Sequence, residues 1–148
     1  MRTNHLEAAI KIACDAHEFQ VDKGGKPYIL HPLAVMARAQ TEDEQIVAVL
    51  HDVLEDSTYM VDDLINADFP MHIAKAVAAI TRRKDESYMD FIKRLCENDL
   101  ARQVKIYDLQ ENMDLSRLKV ITDEDIKRRE KYIKALKYIT EFGMGSIQ

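Results

Sequence analysis

The chain reads as all-α, a single compact bundle of helices, on three observations. Apolar residues recur at intervals of three and four, strand-like alternation is never sustained, and four glycines and three prolines in 148 residues leave few breaks. No repeat, low-complexity stretch or long linker divides it, so residues 1–148 are expected to form one domain. A domain of that length buries about two thirds of its unfolded surface and needs no covalent staples.

The first helix is predicted from about Asn4 to Phe19, turning Leu6, Ala9, Ile10, Ala13 and Cys14 inward. Lys23-Gly24-Gly25-Lys26-Pro27 is a turn, and Pro27 ends any helical reading. His31-Pro32 opens a short helix through Leu33, Val35 and Met36, since proline suits a first turn. Thr41 followed by Glu44 is a capping-box signature and starts the helix that carries Ile46, Val47, Leu50, His51 and Asp52. Leu64, Ile65 and Phe69 mark the next apolar segment, closed by Pro70. Further helices are expected over about 71–81, 87–97, 99–113 and 123–141, with Gly143 and Gly145 ending the last.

Charge and composition exclude some partners. The net charge of −5, from 21 basic and 26 acidic residues, argues against nucleic acid as the main ligand. The local basic runs, Arg82-Arg83-Lys84 and Lys127, Arg128, Arg129, Lys131, read as solvated helix ends or outer faces. Cys14 and Cys96 have no paired spacing and read as reduced core thiols of a cytoplasmic protein. No run approaches the ~20 apolar residues of a membrane span, and MRTNHLEAAIK has no apolar signal core, so no membrane partner is expected. Periodicity alone leaves the oligomeric state open.

The chemistry concentrates in AVLHDVLEDST, where His51, Asp52, Glu55 and Asp56 stand at the end of an apolar run. Ionised groups at the edge of a buried helix are costly unless paired or bound to metal, which points to metal-dependent hydrolysis. On a helix His51 and Glu55 lie one turn apart, as do Asp52 and Asp56. Asp108 falls inside the apolar stretch around Val104, Leu109 and Met113, with Asn112 one turn on. Two imidazoles and two carboxylates, His31, His51, Asp52 and Asp108, suit a borderline divalent ion: manganese, iron, cobalt, nickel or zinc. Taken singly, His31 could instead cap its helix and Asp108 could pair with Lys105. His5 and His72 read as surface or capping residues, whereas His17 faces the glycine-rich turn and is a candidate for supporting or touching a ligand.

The order His31, His51-Asp52, Asp108 resembles the H…HD…D pattern of the HD superfamily of metal-dependent phosphohydrolases. The finer motifs are His17-x-x-Gln20, Gly25-x-Pro27-Tyr28-Ile29-x-His31-Pro32-Leu33, Leu50-His51-Asp52-Val53-x-Glu55-Asp56-Ser57 and Val104-Lys105-x-x-Asp108-x-x-x-Asn112. Together they resemble the hydrolase domain of RelA/SpoT proteins and of stand-alone small alarmone hydrolases, over about residues 5 to 140. The resemblance implies an all-α, HD-type helical fold and one manganese ion on His31, His51, Asp52 and Asp108. It implies removal of the 3′-pyrophosphate of guanosine tetra- or pentaphosphate by metal-activated water. Glu55 and Asp56 would orient or deprotonate that water, and Asn112 would contact the sugar. Tyr28, Lys105, Lys23 and Lys26 are further candidates for substrate contacts, the lysines supplying charge for the diphosphate.

Two segments depart from the family pattern. Asp22 stands where the family usually has an arginine that packs near guanine, and Asn112-Met113-Asp114-Leu115 replaces the common Asn-x-Arg-Thr. The metal machinery is retained while part of the substrate shell is altered, so another nucleotide is an alternative substrate. A non-catalytic, metal-dependent nucleotide sensor and a purely structural bundle are the readings from other classes. No synthetase domain follows within the sequence, so nucleotide-pyrophosphokinase activity is not expected.

Overall fold

The computed structural model describes residues 4–116 and 118–143; Gly145, expected to help end the last helix, lies outside them. Among the described residues the chain is helical, and the only β-type pairing is an isolated antiparallel bridge between Val21 and Pro27. The helices are α1 (His5–Ala16), α2 (Leu30–Arg38), α3 (Glu42–Leu50), α4 (Val53–Asp56), α5 (Val61–Asn66), α6 (Met71–Ala79), α7 (Tyr88–Leu95), α8 (Asp99–Asn112) and α9 (Asp123–Glu141).

Helix α3 is the hub, with α1, α2, α6 and α8 packed around it. Its five residues Ile46 to Leu50 are all buried, because a helix enclosed on every side has no solvent face to make polar. Thr41 caps it: Oγ1 accepts from Glu44 N at 3.2 Å, while the Glu44 carboxylate reaches back to Gln40 N at 2.9 Å, one residue beyond the expected box. The first core cluster gathers around α3. A second forms between α7, Leu109 of α8, and Ala135 and Ile139 of α9. Helix α8 joins them, with Tyr107 in the first and Leu109 in the second, so Asp108 stands at the seam.

Three expectations are corrected here. Helix α1 stops at Ala16, not Phe19; the chain leaves it through Phe19 in the left-handed region at φ 66°. Cys14 is exposed, because the buried stripe runs Ala9, Ala13, His17 at steps of four and Cys14 falls one position off it. Helix α3 ends at Leu50, so His51 and Asp52 occupy the junction with α4. Asp52 has φ −105° and ψ 0°, the sparsely populated bridge region. The Lys23–Pro27 turn forms as expected, with Gly25 at φ 81°, a conformation that a side chain would strain.

Candidate active site

The α3–α4 junction delivers His51 to the interior. Its Nδ1–H donates to the carbonyl of Ala48 at 2.6 Å, the backbone group one turn back. That bond fixes the tautomer and leaves Nε2 a bare lone pair, 3.0 Å from Asp52 Oδ2 and 3.2 Å from Asp108 Oδ1. Nε2 has no hydrogen-bond partner and the ring is 3% exposed. A lone pair facing two carboxylate oxygens in the interior is repulsive unless a cation lies between them.

Asp108 divides its two oxygens. Oδ1 lies 2.8 Å from His31 Nε2 and accepts from Asn112 Nδ2 at 3.1 Å, while Oδ2 accepts from Lys105 Nζ at 2.8 Å. Asp108 is thus paired with Lys105, while its other oxygen stands in the histidine cluster. Tyr28 donates its hydroxyl to Asp52 Oδ2 and so orients that carboxylate from the far side. His31, His51 and Asp108 offer ligand atoms all within 4.8 Å of one another. That donor set fits a divalent ion, with Asp52 alongside.

The electrostatics agree. Burial pushes the Asp108 carboxyl up, but Lys105 and His51 outweigh it and hold it well below the carboxylate range. Burial opposes charge on His51, yet Asp52 and Asp108 raise it well above its ordinary value, so the two carboxylates favour positive charge at this ring. Glu55 is pushed up by burial and then by Asp52. Asp56 is pushed up to about 6, by burial and then by Asp52 and Glu55.

Glu55 and Asp108 line a pocket of about 260 Å³ with two unlike walls. His31, Asp52, Glu55 and Asp108 form the acidic wall; Arg82, Lys105 and Lys131 form the basic one. The cations stack on aromatic faces: Lys131 Nζ lies 4.1 Å from the centre of the Tyr88 ring and Lys105 Nζ 5.2 Å from that of Phe91. Burial, then the like charges of Arg82 and Lys105, lowers the Lys131 ammonium. Crowded cations beside a metal-type cluster make a receptor for a polyanion.

The structure thus brings together His31, His51, Asp52, Asp108, Tyr28, Glu55, Lys105 and Asn112. Asp56 does not line the pocket, although its charge is felt there. Lys23 and Lys26 line an adjoining cavity of about 660 Å³ that meets the first at Asn112 and Tyr132; Lys23 also pairs with Asp125 at 3.6 Å. Arg82 and Lys131 are exposed, as their basic runs led us to expect, and both also line the pocket. Their basic runs were visible, but only the packing of α6, α7 and α9 shows where they point. His17 is buried with its Nδ1 on Gln20, and His72 pairs with Asp43 at the surface.

No family model matches the chain. Curated relatives do. It is 34% identical over 97 residues to guanosine-3′,5′-bis(diphosphate) 3′-pyrophosphohydrolase of Vibrio cholerae, covering 63% of this chain and 14% of that protein. It is 33% identical over 97 residues, with the same coverage, to the bifunctional (p)ppGpp synthase/hydrolase SpoT of Escherichia coli K12. To the Aquifex aeolicus pyrophosphohydrolase it is 30% identical over 120 residues, covering 73% of this chain and 17% of that protein. A solved structure described as a metazoan ortholog of SpoT that hydrolyzes ppGpp superposes with TM-score 0.73 at 22% identity, covering 92% of this chain and 85% of that one. The chain is related in sequence and fold to the HD-domain hydrolase of RelA/SpoT-type proteins. It spans about one seventh of the length of the first two curated relatives. Within this HD-type fold, the histidine–aspartate cluster lies at the seam between the two cores, reached from α2, the α3–α4 junction and α8.

Proposed function

We propose that the chain is a metal-dependent phosphohydrolase that removes the 3′-pyrophosphate from guanosine 3′,5′-bis(diphosphate). The observation that carries this reading is one pocket lined by His31 and Asp108 of the metal-type cluster together with Arg82, Lys105 and Lys131. His31, His51, Asp52 and Asp108 would hold manganese or another first-row divalent ion. Such an ion polarises a phosphoryl oxygen and acidifies water.

The chain's own groups do the rest. Glu55, which lines the pocket, orients the attacking water and takes up its proton, with Asp56 beside it supporting that role through its charge, both being within a turn of Asp52. Water bonds to the phosphorus linked to the 3′-oxygen as that phosphorus–oxygen bond breaks, and the proton taken from water passes to the departing 3′-oxygen. Arg82, Lys105 and Lys131 neutralise the charge on the diphosphate, in a pocket whose aromatic walls weaken competition from water. Tyr28 keeps the Asp52 carboxylate turned toward the cluster. Asn112 stands where the two cavities meet and contacts the sugar, with Lys23 and Lys26 serving the nucleotide's other anionic end.

The test is pyrophosphate release from guanosine tetraphosphate by metal-stripped protein re-supplied with manganese, beside Asp52→Asn and Glu55→Gln. Manganese-dependent release lost in both variants supports the reading. Release that is absent, or that survives Asp52→Asn, sinks it. One observation favours a second reading, another nucleotide as substrate: the Asp22 carboxylate is engaged by the amides of Gly24 and Lys26. It cannot take the place of a base-facing arginine.

A further inference from the structure

Helix α4 has only four residues, too few to hold its own orientation. Its described bonds are local: Asp56 N donates to Asp52 O at 3.0 Å and Ser57 Oγ donates to Val53 O at 2.6 Å. The last carbonyls of any helix lack partners within it and must find them elsewhere. For Asp56 that partner comes from 36 residues away. Gln20 Nε2 donates to the Asp56 carbonyl at 2.9 Å.

Every polar atom of the Gln20 side chain is engaged. Nε2 also donates to Ala16 O at 3.1 Å, and Oε1 accepts from His17 Nδ1 at 2.9 Å. Two carbonyls facing one end of the amide and a ring N–H facing the other leave it a single orientation. The buried His17 ring, 5.0 Å from that of Tyr28, backs the amide. The backbone of Gln20 reaches the other side of the site. Its carbonyl accepts from Tyr28 N at 2.9 Å, and Tyr28 in turn donates its hydroxyl to Asp52.

We infer that Gln20 is a positioning residue, a two-armed bracket that sets where Asp56 stands relative to Asp52. The main-chain arm acts through Tyr28 on the Asp52 carboxylate, and the side-chain arm acts on the end of α4 that carries Glu55 and Asp56. The inference rests on the proposed function for the roles of Asp52, Glu55 and Asp56, but the bracket itself is a matter of geometry. Displacing reacting groups by about 1 Å can cost on the order of 100-fold in rate.

Two variants separate the arms. Gln20→Glu keeps the size and the Oε1 acceptor but removes both Nε2 donors; Gln20→Met removes the side-chain arm altogether. Both leave the backbone arm to Tyr28 in place. Amide hydrogen exchange over residues 53–58 is expected to speed up ~10-fold or more in both, with α9 unchanged as internal reference. With manganese and guanosine tetraphosphate, kcat is expected to fall ~10–100-fold while KM stays within about twofold. Unchanged exchange over 53–58, or an unchanged kcat, overturns the inference. So does a uniform rise in exchange along the chain, since Gln20 would then be holding the fold as a whole. Wild-type protein that hydrolyses nothing sinks the function reading instead, and the exchange comparison still decides the bracket.

Discussion

His51 Nε2 stands 3.2 Å from Asp108 Oδ1, with the ring's Nδ1 proton committed to the Ala48 carbonyl. A ring nitrogen and a carboxylate oxygen that close in a buried setting call for positive charge between them, and a divalent cation supplies it. Manganese at a hundredfold excess over Kd should therefore stabilise the protein by about 2.7 kcal/mol, a rise in Tm of roughly 5–10 °C. Thermal denaturation with manganese and with chelator checks this. Asp108→Asn should abolish the shift, and an equal shift in that variant would place the ion elsewhere.

Arg82 and Lys131 answer a second question, what holds the anion. Each charge-assisted bond to a phosphate is worth about 1.5–3 kcal/mol. Arg82→Ala and Lys131→Ala should each raise KM by roughly 10-fold or more, and should weaken inhibition by inorganic pyrophosphate in parallel. Added salt should raise the wild-type KM as well. Steady-state kinetics across ionic strength checks both; a KM indifferent to either substitution removes the basic wall from the binding site.

Asp22 holds the Lys23–Pro27 turn through one oxygen. Oδ1 accepts from Gly24 N at 2.9 Å and from Lys26 N at 3.0 Å. Asp22→Ala should cost about 1 kcal/mol in urea denaturation. Asp22→Asn keeps Oδ1 as an acceptor and should recover most of that. An asparagine variant as weak as the alanine one would show that the charge matters more than the geometry.

Glu86 couples the fold to acid. Its carboxylate takes Arg94 Nε at 2.7 Å and Nη2 at 2.9 Å, and Arg94 also donates to the carbonyls of Ala79 and Thr81. The arginine bonds hold the Glu86 carboxyl down at about 2, against an ordinary 4.5. A depressed carboxyl stabilises the folded state in full above its unfolded pKa and loses that contribution as pH falls through the folded one. The stability gap between wild type and Glu86→Gln should therefore be constant above about pH 5 and close between about 4.5 and 2. Denaturant titrations at stepped pH check this; a gap that widens on acidification would contradict it.

Much of this was legible in the chain. Helix positions follow from a period that acts over neighbouring residues, and caps such as Thr41 mark their starts locally, so the segments 71–81, 87–97, 99–113 and 123–141 match α6 to α9 within a few residues. The cluster residues were legible because a histidine or aspartate within an apolar run has no local explanation. Asp108 between Tyr107 and Leu109 is the clearest case. Cys14 misled because burial depends on one position round a helix, which a loose three-or-four spacing does not resolve.

By itself the sequence determined the all-α class, the order of helices and the residues with metal-binding chemistry, all encoded in local spacing and side-chain type. Only the tertiary structure decided which cations face the cluster. Arg82 from the α6–α7 connection, Lys105 from α8 and Lys131 from α9 come together only through tertiary packing. It also decided that Gln20 reaches Asp56 across 36 residues. Charge and hydrogen bonding at a site depend on distance in space, and distance in space across a bundle has no period in the sequence.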